Sequence, residues 1–217
     1  MKRSLLALAL LTILPLSANA ADIGYNYFEG DYASSHLSGT TADGYNFKGS
    51  MAFGEHYYGS FTYGQVSKSN IDTGLVVDNV ALNADFDLSN TTVNFGYHHA
   101  LSDKVDFIAE LGYSRSALGV DISGYGDVSD SGNGYRVATG VRAMMGDRFE
   151  GNFNVNYSDV GDAGSGVGAG VGGLFHVNDT WGITANYDYA PRDSISNGGF
   201  TTDETIKTWS VGVRAGF

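Results

Sequence analysis

Residues 205–217, TIKTWSVGVRAGF, form the stretch that decides the fold. Trp209, Val211, Val213, Ala215 and Phe217 alternate there with small or polar residues. Successive side chains on a β-strand point to opposite faces, so this stretch would present one apolar face and one small or polar face. It therefore predicts a strand with a single apolar side that ends in an aromatic residue.

The same alternation recurs along the chain, and it predicts about ten strands of roughly ten residues each. The first would cover 23–33, with a bulge near Tyr27 and Phe28. Short turns are expected near Glu55, Ser102, Asp147 and Asn178. Longer connections are expected over 34–43, 68–86, 116–133, 159–165 and 190–203. Short and long connections therefore alternate, which would place all the longer ones at one end of the sheet.

The position of the aromatic residues predicts that the apolar faces meet lipid. Aromatics stand at both ends of several apolar rows, as Phe149 and Tyr157 or Trp181 and Tyr189 do. Rings of aromatics at both interfaces are typical of membrane barrels, whereas a soluble sandwich also alternates but lacks them. We expect an all-β, transmembrane, antiparallel up-and-down β-barrel of about ten strands, with eight or twelve possible. Both termini and the short turns would face the periplasm.

The N-terminal residues predict export. Lys2 and Arg3 precede an apolar run over 4–16, and Ala18, Asn19 and Ala20 form a small-x-small cleavage site. A spanning helix needs ~20 apolar residues, so the run is too short to be one. We expect a cleaved secretory signal peptide at 1–20, an outer-membrane β-barrel at 21–217, and a destination in the bacterial outer membrane.

The inward faces of the predicted strands carry equal numbers of basic and acidic residues, which we expect to form a charge network in the lumen. A barrel of ten strands is narrow, and an unpaired buried charge is unfavourable. The network would therefore be a structural salt-bridge core or, alternatively, the lining of a narrow pathway for ions or small solutes. Its predicted members are Lys48, Asp106, Glu110, Arg136, Arg142, Glu150, Asp188 and Arg214.

One predicted strand has a lumen face made only of glycine. Gly166, Gly168, Gly170 and Gly172 share that face. The groove that they leave could be filled by arginines 136 and 142, by tyrosines or by water. The run resembles a phosphate-binding loop only superficially, because no Gly-Lys-Ser/Thr follows and its period is that of a strand.

No catalytic, cofactor or metal site is predicted, and we expect that the protein is not an enzyme. His98 and His99 would point to opposite faces of a strand, so they could not chelate one metal. The segment 127–133 has the oxygen spacing of a calcium loop, but Ala138 stands where the closing glutamate belongs. A distant alternative is a hydrolase at the outer rim. Its residues would be His36 with Asp31, Asp43 and Ser34 or Ser35.

Charge and compartment define the partners that we expect. The formal net charge is −12, and many acidic residues fall in the predicted outer loops, which opposes nucleic-acid binding. The expected partners are outer-membrane lipid and lipopolysaccharide, the latter through bridging divalent cations. The outer-membrane insertion machinery would engage Phe217. We expect a monomer, and the sequence does not identify a surface partner.

Several short stretches resemble the Ax-type family of xanthomonad outer-membrane β-barrel proteins, which are small barrels like OmpA. They are the leader at 1–11 and 14–18, followed by 25–27, 42–44 and 48–50. The resemblance implies a small barrel with a structural or surface-interaction role in adhesion, biofilm, virulence or vesicles. A narrow channel for ions or small solutes is the alternative. The resemblance implies no catalytic residues.

Overall fold

Ten antiparallel strands form a closed barrel in which each strand pairs with its neighbours in sequence and β1 pairs with β10. The computed structural model describes residues 23–37, 39–77, 80–122, 126–197 and 200–217, so the predicted signal peptide lies outside the described residues. The strands are β1 (Tyr27–Leu37), β2 (Thr40–Phe53), β3 (Tyr57–Val77), β4 (Val80–Ser102), β5 (Val105–Ile122), β6 (Gly126–Met144), β7 (Phe149–Asp159), β8 (Ser165–His176), β9 (Trp181–Asn197) and β10 (Phe200–Gly216). The predicted fold class is confirmed.

Strand β1 differs from its prediction. It begins at Tyr27, and its register with both β2 and β10 is uninterrupted, so the bulge predicted near Phe28 is wrong. Phe28 and Tyr32 face outward with Gly30 between them, whereas Glu29 and Asp31 are buried on the lumen side. The alternation in β1 is therefore regular, with carboxylates as the polar residues of its inner face.

The longer outer connections are mostly strand, which corrects the sequence prediction. The segments 68–86, 116–133 and 190–203 consist largely of paired residues of β3–β6, β9 and β10. Strands β3 and β4 reach 21 and 23 residues, whereas β7 has only 11. A two-stranded ribbon satisfies its backbone hydrogen bonds in water as well as in lipid, so pairing can continue beyond the membrane. The outer rim is therefore tall at β3–β6 and low at β7–β8, where Gly161–Ala163 form a 3₁₀ turn.

The outer surface of the barrel is an apolar band between two aromatic girdles. Side chains such as Phe95, Leu111 and Val171 expose about half of their surface because no other element of the described chain covers them. The outer girdle comprises Tyr32, Tyr45, Tyr63, Tyr113, Tyr135, Tyr157, Tyr189 and Trp209. The inner girdle comprises Phe53, Tyr57, Phe107, Phe149, Trp181 and Phe217. Such girdles mark the two membrane interfaces. None of the described residues forms a helix with the length and hydropathy needed to span a membrane.

Candidate functional site

The lumen contains a cavity of about 490 Å³ whose lining changes from the periplasmic end to the outer end. We call its three levels the floor, the belt and the collar. The floor comprises Tyr25, Tyr58, Arg142, Glu150 and Arg214. The belt is rich in amides and comprises Asn46, Asn90, Asn152, Asn154, Asn156 and Asn186, with Thr62, Asp188 and other polar residues. The collar comprises Leu37, Val66, Leu88, Leu118 and Ile206.

The strongest contact of the floor joins neighbouring strands β6 and β7. Arg142 donates from Nε to Glu150 Oε1 at 2.7 Å and from Nη2 to Glu150 Oε2 at 3.1 Å. Arg142 is 8% exposed and Glu150 is 1% exposed. The fork geometry of the guanidinium satisfies both carboxylate oxygens, which is what makes a buried ion pair tolerable.

Tyr25, which lies just before β1, closes the centre of the floor. Its ring stacks on His98 with centroids 4.0 Å apart, and the Arg142 guanidinium lies 4.5 Å from the Tyr25 centroid. Its hydroxyl donates to Asp106 Oδ2 at 2.9 Å, and the preceding Gly24 carbonyl accepts a bond from Arg142 Nη2 at 3.0 Å. The segment before the barrel is thus folded into the periplasmic mouth and held by β4, β5 and β6.

Glu29 on β1 connects the two strands beside it. It accepts a hydrogen bond from Lys48 of β2, and its Oε2 lies 2.7 Å from Arg214 Nη2 of β10. Lys48 also lies 3.1 Å from Asp31, whose other oxygen accepts a bond from Thr184 at 2.8 Å. The contacts of β1 with Arg214 of β10 and Thr184 of β9 form only when the barrel closes, whereas the Lys48 contacts join strands that are neighbours in sequence.

A third cluster contains the Arg136–Glu110 ion pair, which reaches into the lumen from β5 and β6. Arg136 Nη1 donates to Glu110 Oε2 at 2.9 Å, while the Tyr58 hydroxyl donates to Glu110 Oε1 at 3.0 Å. Tyr58 itself lies against Tyr25, with ring centroids 4.8 Å apart. The pair therefore extends the floor toward the belt on one side of the barrel.

The structure places all eight of the predicted lumen charges on the inner face, but it does not join them into one network. Six of them take part in the three clusters above, and Asp106 contacts Tyr25 and, at 3.4 Å, His98. The exception is Asp188. Among the described residues no hydrogen bond or ion pair to its carboxylate is found, and it is exposed to the cavity. The expectation that every charge in this space pairs is wrong for Asp188.

The glycine groove of β8 is filled by side chains from the two neighbouring strands. A Cβ atom on Gly170 would lie 2.6 Å from Asp188 Oδ1 and 2.7 Å from Asn154 Nδ2. A Cβ on Gly172 would meet Asn152 and Asn186 in the same way. The sequence analysis considered arginine, tyrosine or water for this groove; amides and one carboxylate lie there because they are the inward residues of β7 and β9.

The lumen residues that the sequence analysis missed include Glu29, Asp31 and Tyr25. The signal for the first two was present, because Phe28, Gly30 and Tyr32 already define an outward face of β1. The assumed bulge hid that alternation. Nothing in the sequence pattern indicated Tyr25, because it lies before the first strand and reaches the floor only through tertiary contacts.

The candidate residues for metal binding and for rim catalysis do not form sites. Within the described part of the chain, no group of three or more metal-ligating side chains is arranged to hold an ion. The segment 127–133 lies within β6 rather than in a loop. His36 contacts Thr41 at 3.2 Å, and in the described residues no hydrogen bond joins it to the candidate serines or aspartates. Asp31 points into the lumen, away from His36.

Solved structures to which the chain is similar include several outer-membrane barrels. The attachment invasion locus protein Ail of Yersinia pestis is 13% identical, covers 88% of this chain and 95% of its own, and has a TM-score of 0.43. Neisserial surface protein A is 16% identical, with coverages of 88% and 96% and a TM-score of 0.42. OprG of Pseudomonas aeruginosa is 9% identical, with coverages of 92% and 99% and a TM-score of 0.42.

The sequence itself places the protein in a family. No curated protein sequence matches the chain. Residues 6–166, most of the chain, match the family described as outer membrane protein beta-barrel domain. The fold agrees with this match, since the chain forms a closed barrel with an apolar outer band between aromatic girdles. The chain belongs to the outer membrane protein β-barrel domain family.

Proposed function

We propose that this protein is a closed outer-membrane barrel that acts through its cell-surface hairpins rather than by conducting solutes. The buried Arg142–Glu150 pair, covered by Tyr25, is the observation that supports this role. A hydrated ion would have to break a forked ion pair and an aromatic stack to cross the floor. The surface role also agrees with the resemblance to the Ax-type family, and the narrow channel is the competing function.

The tall outer rim at β3–β6 carries a strip of acidic side chains. Asp85, Asp121 and Asp127 lie directly opposite one another on β4, β5 and β6, beyond the outer girdle. Asp85 accepts a hydrogen bond from the Asn70 backbone N–H at 2.9 Å, but like charges at opposed positions destabilise a sheet, so fold stability alone does not account for all three. We propose that this acidic strip contacts a cationic partner, such as a basic protein segment or divalent cations that bridge lipopolysaccharide phosphates. The remaining proposed properties are export by a signal peptide, insertion through Phe217 and a monomeric state.

Planar-bilayer recording tests the closed lumen. The wild-type protein should give no stable, reproducible channel steps, and Tyr25→Ala should give small ones because it removes the centre of the floor. Reproducible wild-type channels would reject the closed barrel in favour of the narrow channel. Absence of steps in both proteins would show that the remaining floor contacts suffice, and the role assigned to Tyr25 would then be wrong.

Binding of an oligolysine peptide to the protein in liposomes tests the surface role. The triple variant Asp85→Asn, Asp121→Asn, Asp127→Asn should bind it at least tenfold more weakly at low salt. The matched control neutralises three exposed aspartates in the periplasmic turns, Asp103, Asp147 and Asp179. The control reports the effect of net charge alone, so equal losses in the two triple variants would contradict the proposal.

A further inference from the structure

The cavity above the floor is a candidate binding site. Its volume of about 490 Å³ lies within the range of small-molecule pockets. The charged floor lies at its periplasmic end, and the collar residues line it at the outer end. From this combination we propose that the lumen is an outward-facing chamber that binds an uncharged, hydroxyl-bearing solute of mono- or disaccharide size. This inference rests on the closed floor of the proposed function.

The belt supplies the hydrogen-bonding groups for such a solute. Asparagine amides both donate and accept, as the hydroxyl groups of a sugar do. Two of the six amides are unused, because in the described chain no side-chain hydrogen bond involves Asn46 or Asn152, and Asn156 reaches Asn154 only at 3.4 Å. A polar wall with unsatisfied groups around a cavity holds either water or a ligand that replaces it.

The geometry around β8 concentrates these groups. With no side chain on Gly170 or Gly172, the amides of β7 and the polar residues of β9 converge over one strand. Asn154 and Asp188 both lie within 2.7 Å of the position that a Gly170 Cβ would take. A carboxylate that forms no hydrogen bond or ion pair with the described residues, next to an amide, is suited to accept bonds from two adjacent hydroxyl groups.

The collar residues are apolar, but they are not the only side chains at the outer end of the cavity. Val66 is buried with Ala33 and Ala42, and Phe86 and Leu88 pack against this cluster. Leu118 and Ile206 line the cavity from β5 and β10. Asp130, which stands directly opposite Leu118, and Arg192 also line the cavity toward this end, so an entering solute meets both apolar and charged side chains. The positive charges of Lys48 and Arg136 act on Asp188 and oppose a simple cation site there.

Calorimetric titration of the protein in lipid nanodiscs, with glucose and maltose as probes, tests this chamber. Empty nanodiscs give the baseline. We expect one saturable site for one or both sugars. Asn154→Leu should weaken binding about tenfold, whereas Val155→Leu, which places the same side chain on the lipid face of the same strand, should stay within twofold. Equal effects of the two variants, or no binding to wild type at millimolar sugar, would overturn the proposal.

Two further measurements keep the test decisive. Thr62→Val keeps the shape of a belt residue and removes only its hydroxyl; it should weaken binding severalfold even if Asn154→Leu fails to fold. Glucosamine, which carries a positive charge, should bind no better than glucose. Tighter binding of glucosamine would make the cavity a cation site centred on Asp188 and would reject the neutral-solute reading.

The channel recording above separates the two proposals. If the barrel neither conducts nor binds sugar, the closed lumen is retained and only the chamber is rejected. If the barrel conducts, both the proposed function and the chamber are rejected, because a chamber that opens only at its outer end needs a closed floor.

Discussion

The floor and the belt of the lumen accommodate polar side chains in an enclosed space in different ways. At the floor, basic and acidic groups pair closely and leave little room, as Arg142 and Glu150 do. In the belt, short amides and glycines leave a cavity, and Asp188 has no partner among the described residues. Paired charges make a rigid closure that is costly to open, whereas amides make a wall that exchanges partners readily. This difference agrees with a floor that is structural and a chamber above it that binds a solute.

The largest expected effect comes from removing the most buried carboxylate of the floor. Glu150→Ala leaves the Arg142 guanidinium buried and without its ion-pair partner, which should lower the free energy of unfolding by about 3–5 kcal/mol. Urea unfolding in lipid vesicles, followed by tryptophan fluorescence, measures this loss. Asp147→Asn, in the nearby exposed turn, should change stability by less than about 0.5 kcal/mol. A similar value for both would show that the floor is not a rigid closure.

The belt should tolerate less added volume than the lipid face. Gly170→Leu forces a side chain against Asp188 and Asn154 and should destabilise the barrel by about 1–3 kcal/mol. Gly59→Leu is the control, because a Cβ at this outward position meets only the Phe53 ring, at 3.8 Å. Heat-modifiability on gels, together with urea unfolding, distinguishes them. Normal stability of Gly170→Leu would mean that the groove over β8 is open.

A smaller effect is expected from removing one hydrogen bond of the floor. Tyr25→Phe keeps the stack on His98 and loses only the bond to Asp106, so unfolding should become easier by about 1 kcal/mol. Bilayer recording of this variant should remain silent, because the ring still fills the mouth. Channel steps in Tyr25→Phe would show that the hydroxyl, rather than the ring, holds the floor closed.

The smallest effect has the opposite sign and concerns the outer wall. Asp121→Asn relieves repulsion from Asp85 and Asp127 on the strands beside it, so it should stabilise the protein by a few tenths of a kcal/mol. The gain should shrink as salt rises, because exposed charges are screened. Unfolding curves at low and high salt test this. A loss of stability at low salt would show that Asp121 makes a favourable contact in the wall.

The alternation in the sequence was sufficient to predict the architecture and the direction of most side chains. A period of two is a local property, so Trp209, Val211 and Val213 face outward and Lys48, Arg136 and Arg214 face inward without knowledge of any neighbour. The outer connections were predicted less well. Polar residues in water can lie in a loop or in a paired ribbon, and composition does not separate these states.

The sequence by itself determined that the chain forms a barrel with an apolar outside and a charged, amide-rich inside, because strand periodicity and lipid contact are readable residue by residue. Only the tertiary structure decided which charges meet. Glu29 contacts Arg214 because β1 and β10 pair, and Tyr25 lies in the floor because residues of β4, β5 and β6 contact it there. Asp188 and Asn154 converge because a bare glycine strand lies between them. Such contacts depend on closure and register, which are properties of the whole sheet and not of any one strand.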